Sequence, residues 1–104
     1  MQLQEAYELF KSAPFPANDA NSDELSDIYF ELADYDGHVA GLVDSLLKKR
    51  GDPKNLKYDY ELENKLNEFL KKTDPTDPDY ATATEMMAYL QKISKLIAVA
   101  ESGN

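Results

Sequence analysis

The sequence predicts an all-α protein, a four-helix up-down-up-down antiparallel bundle with a long second helix and a short first helix. Three observations carry this. From Ser22 to Arg50 the apolar residues Leu25, Ile28, Leu32, Tyr35, Val39, Leu42 and Leu46 recur at steps of 3, 4, 3, 4, 3 and 4, the stripe of an amphipathic helix. Tyr29, Ala33, Ala40, Val43 and Leu47 lie beside that stripe and widen the apolar arc to roughly 180°, more than a single neighbour can cover. Three shorter helical patterns, bounded by Gly or Pro signals, supply the neighbours, and no alternating strand pattern occurs anywhere. The 104 residues, 42% hydrophobic with seven Tyr and four Phe, are the size and composition of one globular domain spanning 1–104.

The first helix is expected over residues 2–12, with Leu3, Ala6, Tyr7 and Phe10 at helical spacing and Pro14 ending it. So short a helix is marginal alone and must dock its apolar face. Residues 13–21 form a loop in which Pro14 and Pro16 restrict the backbone and Phe15 offers an apolar anchor. Asn21 or Ser22 caps the second helix, and Asp23 and Glu24 suit its positive end. Lys48, Lys49 and Arg50 suit the other end, before the stop signal Gly51-Asp52-Pro53. Gly37 and Gly41 stand inside this helix at up to about 1 kcal/mol each relative to Ala, a cost that calls for compensation.

A third helix is expected from Lys57 to Lys72, with Tyr58, Leu62, Leu66, Phe69 and Leu70 on one side. In Thr73-Asp74-Pro75-Thr76-Asp77-Pro78 the second Thr-Asp-Pro triplet reads as an N-cap at Asp77 with Pro78 at the first helical position. The fourth helix then runs from Pro78 to Glu101, with Ala83, Met86, Met87, Leu90, Ile93, Ile97 and Ala100 inward, and residues 102–104 form a tail. Leu32, Val39, Leu42, Leu46, Leu66, Phe69, Leu90 and Ile97 are the expected core. Tyr58 and Tyr60 are expected in the core and at its edge.

Composition narrows the function. Without cysteine there are no disulfides, thiolate metal sites or Cys nucleophiles. Twenty acidic and 11 basic residues give a net charge of −9, which repels nucleic acid and anionic lipid and favours basic partners. The N-terminus has neither a basic nor an apolar leader region, and no run of about 18 apolar residues exists, so a cytoplasmic protein without a membrane span is expected.

The sharpest anomaly lies between Ser12 and Leu47, where eight acidic residues occur without one Lys or Arg. Asp23, Asp27, Glu31 and Asp34 line one flank of the second helix, where like charges repel by a few tenths of a kcal/mol per pair. Two readings stand, an ordinary solvated surface and a docking surface for a basic protein. His38 continues this flank and is expected to pair with Asp34. A metal site is not expected, because di-metal bundles use two Glu-x-x-His pairs and this chain holds one His. Phe30, Ala33, Gly37 and Gly41 share a face on which another backbone can approach closely. Its expected occupant is the short first helix or another helix of the bundle, and the alternative is a binding partner or a second copy.

Asp44-Ser45-Leu46 resembles the Asp-Ser-Leu of acyl carrier proteins, small acidic helical bundles whose serine carries phosphopantetheine. That resemblance implies a carrier role with Ser45 as the modified residue, although in that family the serine opens a long helix and here it stands six residues before Gly51. No nucleophile–base pair, metal set or phosphate loop appears, so no enzyme and no cofactor are expected. The expected function is a small, acidic, non-enzymatic interaction module that binds a basic protein through Asp23, Asp27, Glu31, Asp34 and His38 with Phe30, Gly37 and Gly41. Immunity proteins and antitoxins, which neutralise basic toxins, are analogous in size, charge and fold class. A self-associating homodimer is the alternative.

Overall fold

In the computed structural model, which describes residues 2–102, four helices form: α1 (Leu3–Ser12), α2 (Asp23–Leu47), α3 (Tyr60–Lys72) and α4 (Pro78–Glu101). A short 3-10 turn at Pro53–Asn55 is the one further element, and the described residues contain no strand. The expected tail falls largely outside, since Gly103 and Asn104 lie beyond the described residues.

All four helices pack into one bundle with α4 at its centre: α4 touches α1, α2 and α3, whereas α1 and α3 do not meet. Sequence explains this placement, because α4 buries ten residues along its length, among them Met86, Leu90, Ile93 and Ile97. The molecule is elongated and flat, 45 × 24 × 18 Å. Lys65 reaches Glu31 and Lys72 reaches Glu24, so numbers rise on one helix as they fall on the other and α2 and α3 are antiparallel. Asp79 reaches Ser22 and Tyr89 reaches Asp36, so α2 and α4 are parallel with their N-termini level.

The starts of α2, α3 and α4 each have a side-chain cap, and that of α1 has none. The Ser22 hydroxyl accepts from the Leu25 N–H (3.2 Å), the Asp59 carboxylate from the Leu62 N–H (3.1 Å), and the Asp77 carboxylate from the Asp79 N–H (2.9 Å). Pro78 sits at the start of α4 as expected.

Four expectations need correction. The long helix stops at Leu47, not at Arg50. Its last carbonyls are closed by the Arg50 N–H on the Ser45 oxygen (2.8 Å) and the Lys49 N–H on the Leu46 oxygen (3.0 Å), the paired closure that needs a left-handed residue. Lys49 takes that role at φ 59, and Gly51, at φ 77, turns the chain onward to Pro53.

The start of α3 lies at Tyr60, three residues after the expected Lys57, because residues 56–59 are held extended across α2. Leu56 plugs into the core, and the Tyr35 hydroxyl donates to the Lys57 carbonyl (2.7 Å) while accepting from the Asp59 N–H (3.1 Å). Burial is the main cause that pushes the Tyr35 hydroxyl up to about 12. With position 35 serving this strap, the core line of α2 runs Leu25, Ile28, Leu32, Val39, Val43. Leu42 and Leu46, expected in the core, are half-buried at its margins, and Val43 is fully buried instead. Tyr60, expected in the core or at its edge, is instead 70% exposed, because α3 begins there and its ring stacks edge-on outside, against that of Tyr58 at 4.9 Å.

The loop before α2 is fastened by Phe15, whose ring lies 5.5 Å from that of Tyr29 and 4.9 Å from that of Tyr89. Asp79 fastens its far end. This carboxylate, 4% exposed, accepts from the Asn21 N–H (2.8 Å), the Asn21 side-chain amide (3.2 Å) and the Ser22 N–H (3.0 Å). Those donors, the Asn21 N–H foremost, hold its carboxyl below the usual carboxylate range.

Asp79→Asn is therefore expected to cost about 1.5–3 kcal/mol at neutral pH, the worth of hydrogen bonds to a charged group. A carboxyl lowered in the folded state contributes stability above its unfolded value of about 3.9, and that contribution is lost as pH falls through the folded value. Urea unfolding followed from pH 7 to pH 2 should show the wild-type advantage over Asp79→Asn shrinking below about pH 4.

Candidate functional site

Because Leu25, Ile28, Leu32, Val39 and Val43 all face α4 and the core, the residues half a turn away on α2 point straight outward. These are Asp23, Asp27, Phe30, Asp34, Gly37 and Gly41, and every one is exposed. The acidic flank and the small-residue face are thus largely one ridge, with α1 beyond one margin and α3 beyond the other. Phe30 stands 57% exposed in its middle, its ring edge-on to Tyr29 at 5.8 Å. Ala33 belongs to the margin and is half-buried.

No helix of the bundle fills the glycine face, which corrects the expected internal occupant. A Cβ built on Gly37 or Gly41 meets nothing within 4 Å. Helix α1 packs on the other side, where Phe10 meets Tyr89 at 5.5 Å and the Tyr7 hydroxyl donates to the Ala40 carbonyl (3.3 Å). The reason is apolar area: Tyr7 and Phe10 find more of it beside α4 than two glycines offer.

The acidic flank divides into two sets. Glu24 and Glu31, at its α3 margin, are ion-paired with Lys72 (2.6 Å) and Lys65 (2.7 Å). Glu31 is the leading cause that raises Lys65, by accepting its hydrogen bond. Asp23, Asp27 and Asp34 on the ridge have no hydrogen-bonded or ionic partner among the described residues. His38 is exposed and, against expectation, forms no pair with Asp34, since an exposed ion pair repays little of the side-chain entropy it costs.

The two lysines are the residues that sequence reasoning missed, and a signal for them existed. Glu24 and Glu31 are seven residues apart on α2, as are Lys65 and Lys72 on α3, the match that antiparallel neighbours need.

Between α2 and α3 runs an open trough. One part, about 490 Å³, is lined by Glu24, Asp27, Ile28, Glu31, Asn64, Lys65 and Glu68. A second, about 330 Å³, continues past Asp34, Tyr35, His38, Asp59, Glu61 and Leu62. Glu31 and Lys65 line both, so their ion pair is the bar across one trough whose walls are otherwise mainly carboxylate. Among the described residues no group of three His, Asp or Glu is arranged to hold a metal ion. Ser45 lies half-buried in the last turn of α2, at the opposite end from the helix-opening serine of carrier proteins. No described helix is long and apolar enough to cross a membrane.

No family model, curated protein or solved structure matches this chain.

The open ridge makes a specific stability forecast. Gly37→Ala and Gly41→Ala should each raise unfolding stability by roughly 0.5–1 kcal/mol, because alanine is the better helix former and its methyl meets open space. Thermal or urea unfolding of the two variants checks this.

Proposed function

We propose that this chain is a non-enzymatic interaction module that docks a basic protein on the outward ridge of α2, in the manner of an immunity protein or antitoxin. One observation carries the reading: Phe30 stands exposed between Asp27 and Asp34, carboxylates with no cation of their own, beside an uncovered glycine surface. Asp23, Asp27 and Asp34 supply electrostatic attraction, Phe30 an apolar anchor, and Gly37 and Gly41 a place where a partner backbone comes close. Glu31 and His38 border the ridge, with Glu31 already engaged by Lys65. Nucleic acid and anionic membranes are poor partners for a chain of net charge −9. A second copy seated on the same ridge would set Asp27 and Asp34 against their own counterparts, so charge favours a foreign basic protein here. The proposed compartment is the cytoplasm, and neither cofactor nor metal enters the proposal.

The test compares wild type with an Asp27→Lys, Phe30→Ala, Asp34→Lys variant, which leaves the Glu31–Lys65 pair intact. Affinity capture should recover a basic protein with the wild type alone. Its association with a milder Asp27→Asn, Asp34→Asn variant should be slower by about tenfold and less sensitive to salt, with helicity unchanged by circular dichroism. Recovery of the same proteins by wild type and triple variant, or of none, overturns the proposal.

A further inference from the structure

Helices α1 and α4 leave between them an apolar groove of about 290 Å³ to which α2 and α3 contribute nothing. Leu9 and Ala13, one helical turn apart, form one wall; Leu96 and Val99 form the other, with Lys92 and Lys95 beside them. Leu9 stands 60% exposed on the lip, so the groove is an open surface and not an enclosed cavity. Past Lys92 it continues into a hollow beside Pro14 that reaches Ala88. From Ala88 to Val99 the uncovered strip of α4 is about 17 Å long, three helical turns.

Charge decides what fits there. No carboxylate lines the groove, and α4 holds none from Met86 to Ala100. Lys92 and Lys95, three positions apart on one face, repel each other and have no ion-pair partner among the described residues. In a chain of net charge −9 this is a local reversal of sign. At physiological salt, charges more than about 8 Å apart are largely screened, so a group seated in the groove responds to the two lysines and not to the carboxylates of distant faces. Glu5 and Glu8 of α1 are exposed and outside the lining, which puts a partner's carboxylates over α4 and away from α1.

Shape decides the rest. Pro14 shares a hollow with Lys92, and Leu3 shares one with Ala100, so the two walls are antiparallel helices. An open groove of this kind covers little of a small ligand, whose sites bury about 70–90% of its surface, and offers instead two rows of side chains between which a third helix seats. We propose that the α1–α4 groove is a docking site for an acidic amphipathic helix of a partner protein. Its apolar residues, at helical spacing, lie between the Leu9–Ala13 and Leu96–Val99 walls, and carboxylates one turn apart on one flank meet Lys92 and Lys95. This surface is independent of the proposed docking ridge, with which it shares no residue.

The probe is a synthetic capped peptide of about 14 residues with leucines on one helical face, glutamates along one flank and alanine elsewhere, together with twins in which glutamine or lysine replaces the glutamates. Titrated against the full chain by fluorescence anisotropy, the glutamate peptide should bind saturably and about tenfold tighter than the lysine twin, with the glutamine twin between them and the preference fading as salt rises. Lys92→Glu, Lys95→Glu should reverse that order, and Leu9→Asp should weaken the glutamate peptide at least about tenfold, both at unchanged far-UV circular dichroism. Phe30→Ala, on the ridge, should leave the affinity unchanged. No saturable binding up to about 1 mM, equal binding of the three peptides, an order that the lysine variant fails to reverse, binding that survives Leu9→Asp, or binding lost with Phe30→Ala each overturns the proposal. So does dodecanoate that saturates the groove where the glutamate peptide does not, the result for a fatty-acid site, or a Lys92-dependent dimer of the chain alone in sedimentation, the result for a second copy.

Discussion

The fold depends on a carboxylate that belongs to one helix and caps another. Asp79 lies in the first turn of α4, where its own helix dipole favours a negative charge, and its two oxygens accept the N–H groups of Asn21 and Ser22 at the mouth of α2. One buried charge thus serves the positive ends of two helices. The contact joins residues more than fifty positions apart, so it is a long-range constraint made from local capping chemistry. It sets α2 and α4 parallel and level. Tyr89, whose hydroxyl donates to Asp36 at 2.6 Å, repeats the constraint farther along the pair. Burial first and that carboxylate second push the Tyr89 hydroxyl up, so it remains a donor at any physiological pH.

Once α2 is pinned in register, its rotation about its own axis has little freedom. The core takes Leu25, Leu32, Val39 and Val43, α3 takes the glutamates through its lysines, and α1 takes the backbone at Ala40. What remains for solvent is a ridge that breaks several local rules at once. Like charges stand one turn apart, two glycines weaken the helix, and an aromatic ring lies exposed. Each departure is small, of the order of tenths of a kcal/mol to about 1 kcal/mol, and among the described residues no ion pair at Asp23, Asp27 or Asp34 and no packing at Gly37 or Gly41 offsets it. Departures of this sort gather where a surface is kept for something other than stability. On the proposed reading the offset comes from the partner, which would neutralise the aspartates and cover Phe30.

Local chemistry was the legible part of this chain. The caps at Ser22 and Asp77, the span of α4 and the short α1 all follow from residue types read over a few positions. What escaped was set by contacts across the fold. Lys49 occupies a left-handed position because the closure of α2 falls there, although the sequence offers Gly51 two residues later. Leu56 reads as a linker residue and is a core residue, since Tyr35 straps its segment over α2. Asp79 reads as one more first-turn acid, and only the arrival of the α2 N-terminus turns it into the best-satisfied buried charge of the fold. As for the candidate site, the residues of the ridge could be named from sequence. Their sorting into paired glutamates and unpaired aspartates could not, because it depends on which flank α3 covers.

Charge along the molecule adds a direction to the proposed recognition. At the end where α2 and α4 begin, Asp19, Asp23, Glu24, Asp74, Asp77 and Asp79 outnumber Lys71 and Lys72; where α2 finishes and the chain crosses to α3, Lys48, Lys49, Arg50, Lys54 and Lys57 stand among Asp44, Asp52 and Asp59. The acidic residues in the first turn of α2 favour the helix through its macrodipole, whereas its last turn carries Asp44 and the basic residues lie just beyond its end. The unpaired carboxylates of the ridge, Asp23, Asp27 and Asp34, lie in its first half, and Asp44, beyond Gly41, is paired with Lys48. On the proposed reading a basic partner is drawn to that half of the ridge, which biases orientation as well as the rate of encounter. Gly37 and Gly41 lie beyond those carboxylates, where the surface of α2 is open. On the proposed reading, electrostatic capture and close packing would occupy successive parts of one helix, and a ridge with few charges and a single aromatic ring would thereby distinguish a particular basic protein from basic proteins in general.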